Sequence, residues 1–380
     1  MIEKREFYIN GAWVSPISGR DCEVINPSTE EACAVISLGG TDDTNAAVIA
    51  AKAALDGWSR TDPQTRLGYV KKIREIYAER AEDLAQAISL EMGAPIDLSR
   101  DDQVTSGIWH IDNFIKAFED IEFIRPLGPH APDDRISMEP IGVVGLITPW
   151  NWPMNQITLK VIPALLAGCT MVHKPSEISP MCGILFAEII HAAGLPAGVF
   201  NMVNGDGLGV GTDLSTHADV GMISFTGSAR AGAAISKAAA DTFKRVCLEL
   251  GGKGANVIFA DADEKAVERG VRACFNNTGQ SCNSPTRMLV ERPVYDQAVE
   301  KAVEIAGTVK VGPASQIGDH IGPVVSAQQF DKIQDLIQVG IDEGARLVAG
   351  GLGRPEGFNR GYFVRPTVFA DVSNDMVIAR

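Results

Sequence analysis

Residues 141–153 read Ile-Gly-Val-Val-Gly-Leu-Ile-Thr-Pro-Trp-Asn-Trp-Pro. The first seven are uninterrupted Ile, Val, Gly and Leu, the pattern of a strand buried on both faces of a parallel sheet. Two prolines then bracket an amide between tryptophans. A rigid polar loop at the end of such a strand is where open α/β sheets bind ligands. A proline-stiffened turn over a buried aromatic pair is the competing reading.

Downstream, the rhythm is strand, helix, strand. Leu159 to Ala167 is a short apolar helix and Thr170 to His173 a strand. Cys182 to Ala193 is a helix closed by Gly194, followed by strands Val199 to Val203 and Val220 to Phe225 and an Ala-rich helix from Gly232 to Asp241. Units of this length predict an α/β fold, a doubly wound Rossmann-like parallel sheet with right-handed crossovers. A second α/β series begins near Ala255: strand Asn256 to Phe259, helix Glu264 to Cys274, strand Met288 to Val290, helices Tyr295 to Ala306 and Ser326 to Glu343, and strand Phe363 to Phe369. Upstream, Phe7 to Val14 alternates around Asn10-Gly11, a hairpin signal. Helices are expected from Thr41, from Asp62-Pro63 and over Ala81 to Glu91. Residues 1–122 and 138–249 therefore read as a nucleotide-binding domain with N-terminal helices, and 250–380 as a catalytic domain. Residues 123–137, rich in Pro and Gly, read as a linker or an excursion toward another subunit.

The 380 residues include 34 Lys plus Arg against 48 Asp plus Glu, a formal charge of −14. That acidity, without any basic cluster, argues against a nucleic-acid binder. The seven cysteines form no Cys-x-x-Cys pair and the six histidines no His-x-x-x-His, so neither zinc nor a disulfide framework is expected. Met1-Ile-Glu-Lys-Arg-Glu opens with charge, and no stretch reads as a membrane span. A cytoplasmic location is expected.

Five further stretches carry chemistry. Phe225-Thr226-Gly227-Ser228 joins a strand to a helix. Gly227 permits close backbone approach and Ser228 offers a hydroxyl, though an N-cap serine explains it equally. Gly205-Asp206-Gly207-Leu208-Gly209 is a weaker phosphate candidate. His173-Lys174-Pro175-Ser176-Glu177 places a Lys and a Glu where ribose hydroxyls would lie. The carboxylate of Glu177 favours NAD over NADP. Glu249, within Leu248-Glu249-Leu250-Gly251-Gly252, is costly to bury unless paired or functional. Finally, Asn276-Asn277-Thr278-Gly279-Gln280-Ser281-Cys282 is an uncharged loop ending in a thiol. Asn277, Gly279 and Asn283 read as tight-turn backbone there.

Taken in register, the thiol loop, Leu-Glu-Leu-Gly-Gly, Pro-Trp-Asn, His-Lys-Pro-Ser-Glu and Phe-Thr-Gly-Ser resemble the motifs of the aldehyde dehydrogenase superfamily. Phe7-Tyr-Ile-Asn-Gly and Gly361-Tyr-Phe-Val-Arg-Pro-Thr-Val-Phe extend the match along nearly the whole chain. The resemblance implies Cys282 as nucleophile, Glu249 as general base, and Asn151 as an oxyanion donor together with the Cys282 backbone N–H. It implies that Lys174 and Glu177 hold the adenine ribose and that Gly227 and Ser228 hold the pyrophosphate, with Trp150, Ser176, Gly207, Thr226 and Gly232 in the cofactor site. Trp152 and Met154 would line the substrate entry, and the uncharged neighbours of Cys282 tilt toward an uncharged or aromatic aldehyde. The implied reaction oxidises an aldehyde to an acid with NAD through a thioester, in a homodimer or homotetramer. A relative passing the thioester to coenzyme A is the alternative, which Glu249 disfavours. Family members continue past the position of Arg380 with Glu-Ile-Phe-Gly-Pro, so a longer natural product is expected. A 380-residue form that binds NAD without turnover is the remaining reading.

Overall fold

The computed structural model describes residues 1–380, which divide into two compact units. Met1–Val24, Ala34–Ala85 and Arg100–Leu250 form the first; Ile25–Cys33, Gln86–Ser99 and Gly251–Arg380 form the second. Sequence reading had put all of 1–122 on one side. The boundaries fall inside regular elements, in strands Arg20–Asn26 and Glu31–Leu38 and in helix Ala81–Met92, where local pattern marks no break.

In the first unit, strands Val143–Ile147, Thr170–Lys174, Phe200–Met202, Val220–Gly227 and Arg245–Leu250 are parallel. Numbered one to five along the chain, they stand in the order five, four, one, two, three. Phe7–Ile9 and Ala12–Val14 extend the sheet antiparallel, joined at Asn10 (φ 53°) and Gly11 (φ 79°). A two-residue type I′ hairpin needs both in the left-handed region.

Because the strand order reverses after strand three, right-handed crossovers put the helices before and after the reversal on opposite faces. Ala47, Val48 and Ala51 of helix Thr41–Ser59 join Val143, Val172, Val210, Leu214, Ile223 and Ile235 in one core. On the other face lie Pro153–Leu166 and Met181–Ala193, backed by Pro63–Glu79 and Thr105–Glu119. Each Leu or Ile fully buried in these layers contributes about 2 kcal/mol. The Asp62 carboxylate caps its helix by accepting from the N–H groups of Gln64 and Thr65, with Pro63 in the first turn. Residues 123–137, expected as a linker or an excursion, form an exposed antiparallel hairpin, Ile124–Gly128 with Ala131–Ser137. Its alternation is too polar to have announced a strand.

The second unit pairs Ala255–Ile258 with Arg287–Val290 in parallel and Arg346–Ala349 with Val368–Ala370 antiparallel. Helices Ala266–Phe275 and Tyr295–Thr308 meet through Val271, Ala302 and Ile305. Ser326 caps Ala327–Asp342. The expected strand Phe363 to Phe369 shrinks to its last residues. Pro366 has no N–H to give a ladder, and Phe363 and Val364 are buried without one. Neither strand of the parallel pair is a fully buried core strand: Val257 and Leu289 are exposed. No helix is long and apolar enough to cross a membrane.

Candidate active site

The reversal of strand order in the first unit falls between Val143–Ile147 and Val220–Gly227, which are hydrogen-bonded neighbours. A crevice outside the carboxyl ends of two such strands is the expected ligand site of an open α/β sheet. Ile147 pairs with Phe225, and Thr226 pairs with Glu249 on the next strand. Asn151, Thr226-Gly227-Ser228 and Glu249 are thereby gathered at one edge, from stretches up to about a hundred residues apart in sequence.

Gly227 has no room for a side chain: an added Cβ would lie 2.4 Å from the Phe225 ring. Gly232 lets its helix press on the neighbouring strand, since a Cβ there would meet Leu250 at 2.9 Å. The Ser228 hydroxyl accepts from the Ala231 N–H at 3.2 Å and is the N-cap of Ala229–Ala240. Thr226 keeps a buried hydroxyl with no partner in the protein. A backbone cradle, a helix N-terminus and a spare hydroxyl fit an anionic, hydrogen-bonding group such as a dinucleotide pyrophosphate. Gly207 sits in an open loop with nothing near its missing Cβ, steadied by Asp206, whose carboxylate accepts from the Gly209 N–H.

Lys174 departs from its expected role. Its ammonium is buried and donates to Pro175 O (2.9 Å), Gly205 O (2.6 Å) and Glu177 Oε2 (3.4 Å). All three donors are in use within the protein, so Lys174 orders the loop that carries Glu177. Burial pulls the Lys174 pKa down, and Glu177 opposes the shift. The Ser176 hydroxyl accepts from the Ile178 N–H. One strand-end earlier, buried His173 shares a 2.9 Å hydrogen bond with the Thr148 hydroxyl. Burial, helped by the charges of Lys174 and Lys160, takes its pKa down to about 3, so the ring is neutral.

Asn151 is half-buried. Its side-chain oxygen accepts from the Trp152 N–H at 3.1 Å, which points the donor end of the amide the other way. Trp150 and Trp152 are half-buried beside it. Met154, expected at the substrate entry, is fully buried; the first turn of Pro153–Leu166 turns it into the core. Glu249 is not buried in its apolar run. On the edge strand Arg245–Leu250, side chains alternate, so Arg245, Cys247 and Glu249 face out while Leu248 and Leu250 pack on the core.

Two buried polar side chains bonded to these elements gave no sequence signal strong enough to read. Lys160 hides in an apolar helix, yet its Nζ donates to the Ser224 hydroxyl at 3.0 Å. Burial lowers its pKa, offset in part by Cys247 and Glu249. Gln103, fully buried, donates from Nε2 to the Asn151 carbonyl at 3.1 Å. The helix Thr105–Glu119 beyond it also escaped the sequence reading.

In the second unit, Cys282 is exposed and has no disulfide partner. The chain reaches it through three consecutive left-handed residues, Asn277 (φ 51°), Thr278 (φ 57°) and Gly279 (φ 73°). Asn and Gly are at home there; a β-branched threonine is an outlier. Asn283, expected in the same region, is not among the left-handed residues. The loop is pinned by side chains. Thr278 donates to Gly322 O (3.0 Å), Gln280 Nε2 to Asn277 O (3.2 Å), and the Val325 N–H to Gln280 Oε1 (2.9 Å). Ser284 donates to Cys274 O.

The chain matches the aldehyde dehydrogenase family over residues 13–380. It is 49% identical to the 3-succinoylsemialdehyde-pyridine dehydrogenase of a Pseudomonas species over 382 residues, covering 100% of this chain and 79% of the relative. The crystal structure of an aldehyde dehydrogenase from Bartonella henselae superposes with a TM-score of 0.99 at 62% identity, covering 100% of this chain and 79% of that one. A mutant of aldehyde dehydrogenase C from Pseudomonas syringae, complexed with NAD+ and octanal, gives 0.97 at 48% identity, covering 99% of this chain and 77% of that one. Matches of this length and identity, on a fold whose switch point carries the expected motifs, establish that the chain belongs to the aldehyde dehydrogenase family.

Proposed function

We infer that the protein oxidises an aldehyde to its carboxylic acid with NAD, Cys282 being the nucleophile and Glu249 the base. The observation that carries this reading is the gathering of Asn151, Thr226-Gly227-Ser228 and Glu249 at one switch point, in a chain that also presents an exposed thiol on a strained, pinned loop. The thiolate of Cys282 adds to the aldehyde carbon, and the carbonyl electron pair moves onto oxygen. The Asn151 amide and the Cys282 backbone N–H donate to that oxyanion; removing one such donor typically costs about 3 kcal/mol. NAD, when bound, accepts the hydride that leaves the carbon, and a thioester to Cys282 remains. Glu249 then takes a proton from water, which attacks the thioester, releases the acid and returns the thiolate.

The cofactor would rest on Thr226, Gly227 and Ser228 at its pyrophosphate and on Glu177 at its ribose. The Glu177 carboxylate repels a 2′-phosphate and selects NAD. The NAD+ complex of the Pseudomonas syringae relative supports the same choice. An aromatic or otherwise uncharged aldehyde suits the charge-free neighbours of Cys282, and a 49%-identical relative is named for a pyridine semialdehyde.

The test is pre-steady-state NADH formation by Glu249→Gln. With the base gone, a burst of NADH from acylation should persist while steady turnover stalls. Equal loss of burst and steady state would assign Glu249 to activating Cys282 instead.

A further inference from the structure

The segment leading to Asn151 is fastened from the side by a stretch that no part of the proposed reaction uses. Ser99–Val104 is a π-helical turn, and Thr105–Glu119 continues from it as an ordinary helix. Single π turns inside helices displace the following side chains and leave a carbonyl in need of a donor. Here the hydroxyl of buried Tyr77 donates to Val104 O at 2.9 Å. It reaches that carbonyl only because residue 107 is glycine. A Cβ on Gly107 would sit 2.2 Å from the Tyr77 oxygen. The turn presents Gln103, fully buried, so that Nε2 donates to the Asn151 carbonyl at 3.1 Å. Two turns further, His110 Nε2 meets Asn155 Nδ2 at 2.9 Å, where the neutral ring accepts from the amide. Residues 151–155 are thus fastened at both ends to one helix.

We propose that Gln103, held by the Tyr77-buttressed π turn, is a positioning residue that fixes the Asn151 amide for the oxyanion. This rests on the reading of Asn151 as oxyanion donor. Gln103 touches the backbone of residue 151, not the reacting atoms. Without it the Thr148–Pro153 loop keeps its prolines but loses a lateral tie, and a donor displaced by a fraction of an ångström stabilises the oxyanion less.

The test uses p-nitrophenyl acetate. Attack of the Cys282 thiolate on its carbonyl builds the same oxyanion, expels p-nitrophenolate and leaves an acetyl thioester that water hydrolyses, so no hydride acceptor is needed. Asn151→Ala should slow release of p-nitrophenolate by about a hundredfold or more. Gln103→Met, nearly the same size but unable to donate, should slow it about tenfold. The double variant should match Asn151→Ala within about twofold, because the tie has nothing left to position. An independent tenfold loss in the double variant would overturn the proposal, as would a silent Gln103→Met. If Asn151→Ala itself reacted at the wild-type rate, the oxyanion reading would fall first.

Amide hydrogen exchange gives a second readout that needs no turnover. Gln103→Met should accelerate exchange across residues 150–152 and leave strand Val220–Gly227 unchanged. Tyr77→Phe, which removes one hydroxyl and keeps the ring, should act in the same direction and serves if Gln103→Met does not fold. Unchanged exchange at 150–152 in either folded variant would sink the idea.

Discussion

The segment that carries Asn151 and the one that carries Cys282 are each immobilised, but by different physical means. The first leaves a fully buried strand, passes the Thr148–His173 hydrogen bond and enters a helix at Pro153, with prolines limiting what the backbone can do in between. Its conformation is what the surrounding sheet and helix would impose on almost any chain. The second holds three left-handed residues in a row, one of them Thr278, at a cost of about 1–3 kcal/mol for the threonine. It keeps that shape because Gln280, Thr278 and Ser284 tie it to residues 274, 277, 322 and 325. An amide at a strand end can be set by scaffold alone. An exposed thiol on a loop is set by strain held in place by one amide and two hydroxyls.

The comparison breaks most severely at the thiol. Cys282→Ala should abolish aldehyde oxidation while NAD binding, followed by calorimetry, survives; each of the other six cysteines should be dispensable for turnover. Retention of even a tenth of the activity would mean that the strained loop presents nothing reactive. Next in size is the pinning itself. Gln280→Leu removes a donor to Asn277 O and the acceptor of the Val325 N–H, and should cost about 2 kcal/mol in urea unfolding. It should also change the rate at which iodoacetamide alkylates Cys282. An unchanged rate would show that the pins serve stability only.

The smallest effect at neutral pH sits on the scaffold side, because it appears only in acid. His173 has a pKa near 3 in the fold against an ordinary 6.5, through burial first and neighbouring lysines second. The unfolded chain takes up that proton at higher pH than the folded one. The stability associated with neutral His173 is therefore complete above pH 6.5 and is lost as pH falls from 6.5 toward about 3, at roughly 1.4 kcal/mol per pH unit. A His173→Gln variant, which cannot titrate there, should show a shallower decline in pH-dependent melts. Identical slopes would mean that the ring finds a way to protonate within the sheet.

The parallel strands, their helices and the hairpin at Asn10-Gly11 could be read from sequence because each obeys a local rule: buried runs, proline starts, glycine stops. The gathering of Asn151, Gly227 and Glu249 was legible only in part. Periodicity predicts that strands alternate with helices, but the strand order that creates the switch point comes from crossovers between distant segments. Glu249 misled in one respect, since a charge between two leucines looks buried until its strand is known to lie at an edge. Pro366 was underweighted in the expected strand Phe363 to Phe369. Lys160 and Gln103 were invisible for a common reason. Each is a polar residue whose partner, Ser224 or the Asn151 carbonyl, is chosen by tertiary packing, and no spacing rule joins them.

The chain passes between its two units five times, at Val24–Ile25, Cys33–Ala34, Ala85–Gln86, Ser99–Arg100 and Leu250–Gly251. Neither unit is a continuous stretch that a ribosome could finish and release. Glu30 accepts from Arg354 and from the Gly361 N–H, partners 324 and 331 residues away. At about 5–20 residues per second, the strap 25–33 waits roughly 15 seconds to a minute after its own synthesis before those partners exist. For that interval the strands on either side, Arg20–Asn26 and Glu31–Leu38, can already join their local sheet, while Glu30 at the turn between them waits for both of its partners.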